Sequence, residues 1–494
     1  MELTEKVRNL YGLIKNRFYM CRNDMTVGGQ KFNAALALGV LTELNRATMI
    51  YYGEYSLGKT TLSQYLHSLF NNWPLELVRR KATLKGTPQL TEEKIVAFPE
   101  YGLMNSGDPR WKDKVVFLHF CMIPDKICNE LPRIPESTQT LLLDNIESGE
   151  WGYLRGSIDY GQRAVFFTAN YEDAGSNGVI PALIDRIHVA AESKDPGTSN
   201  KRQIVRDFHN DVDRALRNPE LYMEILKILN SDCEYEEILE SLKMVQERHC
   251  QELAKRGIFT LSDAEKRQAE KEIAAIPFSK DADIYQCMLM SELGVHPMFG
   301  SKRSIDEVTT DFGRYLYACY KGADTIRGQR ALYRYAQGLA WLQGEKEVSL
   351  EHVLAIAPYV MWHRIRWEGA VLQHFRPLKR EDGDADRLDI TKRMLGDGDD
   401  EYPGVKKRFM EQKDNYHRIQ NMVGEAADLE EQAEQYRQKG RTDVAELKLA
   451  EARQKEDETL NLCREYSQDG KGHPVFIDLA KDIEEGMNGD QEYS

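Results

Sequence analysis

The stretch GEYSLGKTT, from Gly53 to Thr61, constrains the fold of this chain more than any other part of the sequence. Its glycines, lysine and threonine occupy the fixed positions of the pattern G-x-x-x-x-G-K-[ST], which describes a loop that wraps around phosphate groups. Such a loop needs a strand before it and a helix after it, because loop N–H groups and a helix N-terminus must converge on the phosphate. The β-rich run RATMIYY precedes it and the helical segment TLSQYLHSLF follows it. The sequence therefore predicts a strand, a phosphate-binding loop and a helix, in that order.

The chain around this loop alternates short apolar runs with helical segments up to about residue 195. The runs KATL, VVFLHF, KICN, RAVFFTAN and IHVA read as strands, and STQTLLLDNIE reads as a helix. Alternation of this kind is typical of an α/β domain with a largely parallel sheet. We therefore predict that the phosphate-binding loop lies at the carboxyl edge of such a sheet.

The remainder of the chain is predicted to be helical. Two long charged runs, about 403 to 438 and 441 to 468, flank Gly440, which can follow the end of a helix in the left-handed conformation. They predict an antiparallel helical hairpin. Two roles remain open for it: a solvated spacer, which the charge pattern favours, or an arm for partners or neighbouring subunits.

Composition excludes several classes of function. The net charge of −14 gives no support to non-specific binding of nucleic acid. The eight cysteines are scattered without a C-x-x-C pair, which argues against a zinc site and a disulfide framework. No stretch approaches the ~20 apolar residues that a membrane span requires, and the N-terminus lacks the apolar core of a signal peptide. We expect a cytoplasmic protein with no membrane span.

The chemistry expected of the loop is nucleotide binding. Lys59 would reach the β- and γ-phosphates as a point charge, and Thr60 would ligate Mg²⁺. Hydrolysis also requires an acidic group at the end of a neighbouring strand, and Glu130 follows the apolar run KICN. The position before it holds Asn129, where a metal-orienting aspartate is usual. An asparagine carbonyl can hold a Mg²⁺-bound water but adds no negative charge. We therefore expect Asn129 to weaken both the affinity for Mg²⁺ and the orientation of Thr60.

The segment NELPRIPESTQTLLLDNIESGEW, from Asn129 to Trp151, resembles the Walker B region of MoxR-type AAA+ ATPases, D-E-I-N-R-x-P-P-K-x-Q-x-x-L-L-E-x-M-E-E. The residues that fall in register are Glu130, Arg133, Pro135, Gln139, Leu142 and Glu147. TVGGQ, from Thr26 to Gln30, resembles the segment near the adenine in that family. GTPQLTEEKIVAFPEYG, from Gly86 to Gly102, resembles its insertion after the second helix.

Downstream segments continue the resemblance. RAVFFTAN is similar to the sensor 1 strand, which implies that Asn170 positions the attacking water. IPALIDRIHV is similar to L-P-E-A-x-L-D-R-F, which implies that Arg186 is an arginine finger acting on a neighbour's nucleotide. GADTIRGQ, beginning at Gly322, is similar to the start of the family's lid and implies sensor 2 at Arg327, which would couple the nucleotide to movement of the lid. Taken alone, Arg186 also fits a structural ion pair and Arg327 a surface charge.

The resemblance covers about half the chain and implies a fold class: an α/β AAA+ P-loop domain with a parallel sheet, followed by an all-α lid and a C-terminal helical hairpin. The predicted domains are an AAA+ α/β nucleotide-binding subdomain (1–195), a helical insertion (196–272), a helical lid (273–370) and a C-terminal hairpin and tail (371–494). The residues predicted to bind the nucleotide are Val27, Gly28, Gly53, Glu54, Tyr55, Ser56, Leu57, Gly58, Lys59, Thr60 and Thr61. Those predicted to act in catalysis are Glu130, Asn170, Arg186 and Arg327, with Thr60 and Asn129 at the metal.

The first functional hypothesis is an ATP- and Mg²⁺-dependent ring ATPase, a hexamer, that remodels or matures a client protein. The family resemblance implies a von Willebrand A domain protein as a partner. A second hypothesis is a nucleotide-binding scaffold with little hydrolysis, whose helical tail recruits partners, and Asn129 favours it. A motor on nucleic acid is the least favoured of the three, because the chain is acidic and no basic stripe with interleaved aromatics is present.

Overall fold

The computed structural model describes residues 2–107, 115–171, 178–206, 211–231, 233–293, 316, 320–321, 325–375, 387–467 and 473–492. These residues form two compact units. The first holds the described residues up to 277 and those from 325 to 364; the second holds those from 278 to 321, from 365 to 375 and from 387 onward. None of the described helices combines the length and apolar composition that crossing a bilayer requires.

The first unit alternates strands with helices. Its strands are β1 (Met25–Val27), β2 (Gln30–Phe32), β3 (Thr48–Tyr52), β4 (Thr83–Lys85), β5 (Ala97–Pro99), β6 (Val115–Phe117), β7 (Lys126–Asn129), β8 (Glu150–Tyr153), β9 (Gly156–Asp159), β10 (Val165–Ala169) and β11 (Val189–Glu192). Its helices up to residue 277 are α1 (Leu3–Arg17), α2 (Ala34–Asn45), α3 (Lys59–Phe70), α4 (Leu75–Arg80), α5 (Tyr101–Asn105), α6 (His119–Met122), α7 (Glu136–Ser148), α8 (Pro181–Arg186), α9 (Thr198–Arg206), α10 (Asp211–Arg217), α11 (Pro219–Leu229), α12 (Tyr235–Ala254) and α13 (Asp263–Ala274).

A five-stranded sheet in the order β11-β3-β10-β7-β4 forms the centre of this unit, and each pair of neighbouring strands is parallel. Apolar side chains run almost continuously along β3 and β10, as expected for strands covered on both faces: Ile50, Tyr51, Phe166 and Phe167 are fully buried. The predicted α/β fold with a parallel sheet is confirmed.

Outside this sheet, the described residues of the first unit form three antiparallel strand pairs, β1–β2, β5–β6 and β8–β9. The run VVFLHF, predicted as a strand of the α/β alternation, is therefore divided. Val115–Phe117 pairs with β5, and the rest of the run leads into α6. An apolar run indicates burial but does not identify the strand with which it pairs.

Helix α2 packs against both the sheet and the first of two lid helices, α15 (Ile326–Gln343); the second lid helix is α16 (Leu350–Met361). The side chain of Asn33 caps α2 by accepting a hydrogen bond from Leu36 N at 2.9 Å. Further along α2, the Thr42 hydroxyl lies 2.8 Å from the Tyr335 hydroxyl of α15. The Thr325 hydroxyl caps α15 by accepting a hydrogen bond from Gly328 N at 3.1 Å. Residues 325–364, which hold both lid helices, belong to the first unit together with the sheet.

The second unit is mostly helical. Its elements are α14 (Lys280–Leu293), β12 (Tyr320–Lys321), β13 (Arg366–Trp367), α17 (Gly369–His374), α18 (Arg387–Leu395), α19 (Val405–Gln438), α20 (Thr442–Tyr466) and α21 (Val475–Glu492). A three-residue connection containing Gly440, at φ +74°, joins α19 to α20. The predicted C-terminal hairpin is confirmed. Helix α14 lies in this unit, although it falls within the lid predicted from the sequence, residues 273–370. The predicted domain boundaries remain predictions.

A buried charged cluster holds the second unit together. The Glu292 carboxylate of α14 accepts hydrogen bonds from Arg408 Nε of α19 at 2.8 Å and from His473 Nε2 at 3.0 Å. Burial opposes ionisation of Glu292, but the Arg408 guanidinium outweighs it and lowers the pKa of Glu292 to about 2. The cluster therefore holds a paired charge inside the helical unit, where an unpaired one would be costly.

Candidate functional site

The phosphate-binding loop connects the last residue of β3 to the first turn of α3. Gly53 and Gly58 adopt φ +145° and +80°, conformations that residues with a Cβ rarely reach. A Cβ on Gly53 would also lie 2.6 Å from the carbonyl oxygen of Ser193. Between the glycines, Ser56 has φ +64°, which costs about 1 kcal/mol for a residue other than glycine. The loop thus has the backbone that the motif predicts.

Lys59 points back into this loop. Its Nζ donates to the carbonyl oxygens of Gly53 and Glu54 at 2.6 and 2.7 Å, and to Oδ1 of Asn170 at 2.8 Å. Burial lowers the pKa of Lys59 to about 8, against the opposing influence of the Glu130 and Glu54 carboxylates. The ammonium group is therefore held among neutral oxygens beside the loop, in a place where an anionic ligand would stabilise its charge.

The end of β7 faces the start of α3. The Thr60 hydroxyl donates to Oδ1 of Asn129 at 3.0 Å, and the Thr168 hydroxyl of β10 lies 3.4 Å from the same oxygen. A hydroxyl and an amide oxygen at this spacing are hard oxygen donors of the kind that Mg²⁺ takes alongside waters and phosphates. The predicted metal residues thus lie together, although the pair brings no negative charge.

Glu130 follows Asn129 in a left-handed conformation, φ +55° and ψ +48°. Its backbone N–H donates to the Thr168 hydroxyl at 3.1 Å, which fixes the turn against β10. Its carboxylate accepts a hydrogen bond from Arg133 Nη1 at 3.1 Å, and the Glu130 side chain is a quarter exposed. A carboxylate therefore stands at the carboxyl edge of the sheet, near enough to raise the pKa of Lys59. It is not a partner in the hydrogen bonds described above, which join Lys59 to Asn170 and Thr60 to Asn129.

The segment predicted to lie near the adenine has other partners. The carbonyl oxygen of Val27 accepts from Gln343 Nε2 at 2.9 Å, and Gly28 N donates to the Glu351 carboxylate at 2.8 Å. These contacts tie the β1–β2 pair to the lid helices. Val27 itself is 2% exposed.

A cavity of about 460 Å³ opens beside the loop. Its lining includes Cys21, Asp24, Tyr171 and Glu192, together with Gly53, Glu54 and Leu57 of the loop. Its size suits a nucleoside. Val27 and Gly28 do not line this cavity. Segments 21–24 and 192–195 form its walls instead, and the sequence motifs did not identify them. The only sequence signal for them is that one precedes β1 and the other follows β11.

The two predicted arginines lie together, at the other edge of the sheet. Arg186 Nε donates to Oε2 of Glu147 at 2.7 Å, and Arg327 Nη2 donates to Oε1 of the same carboxylate at 2.8 Å. Arg327 also donates to Asp185 at 3.1 Å. The hydrogen bonds from Arg327 and Arg186 hold the pKa of Glu147 below its usual value. Arg186 therefore forms an ion pair, which the alternative to an arginine finger allows. Arg327, whose alternative was a surface charge, is 44% exposed and forms ion pairs with Glu147 and Asp185.

Thr48 fixes where this arginine pair lies. Its hydroxyl donates to the carbonyl oxygen of Arg186 at 2.5 Å, and Thr48 is the first residue of β3, whereas the phosphate-binding loop follows the last, Tyr52. A strand of this length spans about 13 Å. Arg186 and Arg327 border a cavity of about 250 Å³ to which α15 also contributes Arg330 and Arg334. Four arginines thus line a cavity at the edge opposite the loop.

The structure therefore divides the predicted site residues into groups. Those that meet at the carboxyl edge are Gly53, Glu54, Tyr55, Ser56, Leu57, Gly58, Lys59, Thr60, Thr61, Asn129, Glu130 and Asn170. Arg186 and Arg327 meet at the opposite edge, and Val27 and Gly28 contact the lid helices. Of the lid motif GADTIRGQ, Gly322 to Asp324 lie outside the described residues.

A match to a known family supports the assignment of a lid domain. A sequence model of the AAA lid domain matches residues 319–384. A crystal structure of a candidate ATPase from Cytophaga hutchinsonii aligns over 76% of this chain and 91% of that one, at 13% identity and a TM-score of 0.49. A full-length MCM homologue from Methanopyrus kandleri aligns over 73% of this chain and 60% of that one, at 11% identity and a TM-score of 0.35. A search of curated proteins gave no match. The parallel sheet and the lid match together give the fold class as AAA+ α/β followed by a helical lid.

Proposed function

We propose that this chain is an ATPase that binds ATP at the carboxyl edge of its sheet. The observation that carries the proposal is the convergence of Lys59, Thr60, Asn129, Glu130 and Asn170 from the ends of three adjacent parallel strands. Phosphoryl transfer to water requires these functions in one place: a cation for the phosphates, oxygen ligands for a metal, and polar groups for the water.

The proposed phosphate site uses the loop and Lys59. The backbone N–H groups between Gly53 and Thr60 would bind phosphate oxygens, and the N-terminus of α3 would favour their negative charge. Lys59 would exchange its carbonyl partners for the β- and γ-phosphates. This exchange is favourable because the ammonium is partly desolvated, and its pKa of about 8 would rise beside an anion.

Thr60 and Asn129 would hold Mg²⁺, which when bound supplies charge neutralisation at the phosphate oxygens. Asn129 would act through its amide oxygen, which already accepts the Thr60 hydroxyl. Glu130 would serve as the general base, taking a proton from the attacking water, and Asn170 would orient that water. For this work Glu130 would have to turn its carboxylate from Arg133 toward the loop.

The position of the arginine pair leads us to propose an oligomeric assembly. Arg186 and Arg327 lie at the opposite end of β3 from the loop of their own chain, so we propose that both act on a neighbouring subunit's nucleotide. An arginine supplied in this way stabilises charge in the transition state. A closed ring lets every subunit both give and receive the pair, and a hexamer is the proposed assembly.

The biological role proposed is that of a MoxR-type ATPase in the cytoplasm, which uses the cycle to remodel or mature a client protein rather than to move on nucleic acid. The support is the order of motifs from Thr26 to Val353. A von Willebrand A domain protein is the proposed client or partner, on the same resemblance.

The test of the ATPase proposal is a pair of glutamine variants. Glu130→Gln should bind ATP as the wild type does but release phosphate at least about 100-fold more slowly, because it loses the base. Glu136→Gln, which changes an exposed acid at the first turn of α7, should hydrolyse normally. Equal rates for the two variants would remove Glu130 from its role, and failure of the wild type to bind ATP would overturn the proposal.

A second candidate function is a nucleotide-gated scaffold, which the neutral Asn129 side chain favours. Such a protein would bind ATP, assemble and recruit partners through the α19–α20 hairpin with little turnover. A phosphate-release assay with Mg²⁺ distinguishes the two candidates, since a scaffold would show tight binding of ATP with negligible release.

A further inference from the structure

Ser193, the residue that follows β11, contacts the phosphate-binding loop at three places. Its backbone N–H donates to the carbonyl oxygen of Tyr52 at 2.8 Å, before the loop begins. Its carbonyl oxygen lies against Gly53, and its hydroxyl donates to the carbonyl oxygen of Leu57 at 2.6 Å, near the end of the loop. One residue, immediately after a neighbouring strand, therefore contacts both ends of the loop.

Tyr19 completes this arrangement from the N-terminal segment. Its hydroxyl lies 2.8 Å from Ser193 Oγ. Because the serine gives its one hydroxyl hydrogen to Leu57, the tyrosine is the donor in this contact. The ring of Tyr19 packs against Gly58, only 3.3 Å from where a Cβ would lie. Tyr19 and Ser193 are 6% and 2% exposed, so water does not readily replace either hydroxyl.

We infer that Ser193 and Tyr19 are positioning residues that hold the phosphate-binding loop in the conformation that receives nucleotide. The inference rests on the proposed function and extends it to two residues that carry no motif. The three left-handed or otherwise unusual positions, at Gly53, Ser56 and Gly58, make an isolated loop of this shape unfavourable. Contacts that select this shape before nucleotide arrives raise the fraction of molecules able to bind it.

This positioning role predicts that loss of these contacts changes the affinity for nucleotide. Without the Ser193 hydroxyl, the carbonyl oxygen of Leu57 and the hydroxyl of Tyr19 are both left without the partners they have now. The loop then samples other conformations, and the apparent affinity for nucleotide falls by the fraction that is no longer competent. Once nucleotide is bound, its own contacts order the loop, so the loss should fall on affinity more than on turnover.

The experiment is a titration of the full chain with a fluorescent ADP analogue. Ser193→Ala should raise its dissociation constant about fivefold, the size of one net hydrogen bond. Tyr19→Phe keeps the ring against Gly58 and should raise it about twofold. Because the two hydroxyls act in series, the double variant should bind like Ser193→Ala alone rather than with the product of the two effects. The Michaelis constant for ATP should rise more than kcat falls.

The matched control is Ser68→Ala. Ser68 is also a fully buried serine, on α3, whose hydroxyl donates to a backbone carbonyl, that of Trp73, at 2.8 Å. Its loss should lower the melting temperature as much as the loss of Ser193 does, yet leave the affinity for the analogue unchanged.

Wild-type affinity in both Ser193→Ala and Tyr19→Phe would overturn the inference while leaving the ATPase proposal standing. Weakened binding in Ser68→Ala to the same extent as in Ser193→Ala would also overturn it, since the effect would then be one of general stability. Absence of binding in the wild type would overturn the ATPase proposal itself, and the inference with it.

Discussion

The hydroxyl of Thr60 donates a hydrogen bond to the amide oxygen of Asn129 at 3.0 Å, across the gap between α3 and β7. This contact fixes the side-chain orientation of Asn129: its oxygen faces the loop. An aspartate at this position would present the same oxygen with a full negative charge.

Asn129→Asp should therefore strengthen Mg²⁺ binding and raise the rate of ATP hydrolysis, by about tenfold for each 1.4 kcal/mol gained at the metal. The measurement is phosphate release as a function of Mg²⁺ concentration, with Asn421→Asp, at an exposed position on α19, as a control for added charge. A variant with an unchanged rate and an unchanged Mg²⁺ requirement would show that Asn129 does not contribute to the metal site.

The separation of the loop from Arg186 makes a prediction about mixed assemblies. Lys59→Ala should be inactive for want of phosphate binding, and Arg186→Ala for want of its arginine. When the two are mixed in equal amounts, subunits with an intact loop meet neighbours with an intact arginine. The mixture should recover roughly a quarter of the wild-type rate, the fraction of random neighbours with that pairing.

A mixture of Lys59→Ala with Glu130→Gln is the matched control, because both changes disable the same edge of the sheet and no pairing of the two contains a complete site. Recovery in that mixture, or none in the first, would contradict an arginine supplied by a neighbour.

Arg327 should behave as Arg186 does. The two guanidinium groups share the Glu147 carboxylate, so the structure places them at one edge. Mixing Arg327→Ala with Lys59→Ala should restore hydrolysis, measured as steady-state ADP formation. If Arg327 instead acted on its own subunit's nucleotide, the mixture would not hydrolyse ATP. Each subunit's site would then lack either Lys59 or Arg327, and no neighbour could supply the missing residue.

A buried ion pair behind the loop predicts a dependence of stability on pH. His67 on α3 contacts Glu43 of α2 at 2.6 Å, and both side chains are buried. Burial opposes protonation of His67, but the Glu43 carboxylate raises its pKa above the usual value, with Asp125 adding to the effect. The pair therefore stabilises the folded chain fully below about pH 6.5, and this stability is lost as the pH rises through the raised pKa.

Glu43→Gln should remove that dependence and cost about 3 kcal/mol at pH 6, because it leaves a buried imidazole without its counter-ion. Urea unfolding between about pH 6 and pH 9 measures both effects. Glu76→Gln, which breaks an exposed pair with Arg80, should leave the pH profile unchanged. If Glu43→Gln followed the wild-type profile, another group would have to carry the dependence.

Local patterns predicted the parts of the fold that local physics determines. The loop from Gly53 to Thr60 could be recognised because the glycines, the lysine and the flanking elements all lie within residues 46–70. The C-terminal hairpin was predicted for the same reason, since a long polar helix, a glycine and a second helix follow each other directly. Both features depend little on distant parts of the chain.

Distant pairing could not be predicted from one sequence. The run at Val115 indicated a strand, but not that the strand leaves the sheet to pair with β5. The motif order indicated Arg186 and Arg327, but not that they share Glu147. The contact between Tyr19 and Ser193 joins positions 174 apart in the chain, and neither residue belongs to a pattern that marks it.

Strand β3 carries the nucleotide loop at one end and lies beside the arginine pair at the other. On the proposed function, a solitary subunit then holds ATP without completing its own reaction, and crowding of subunits starts turnover. The abundance of the protein would then limit the rate of ATP consumption. Expression level, dilution, or a partner that covers one face of the subunit would change this rate, even at a constant concentration of ATP.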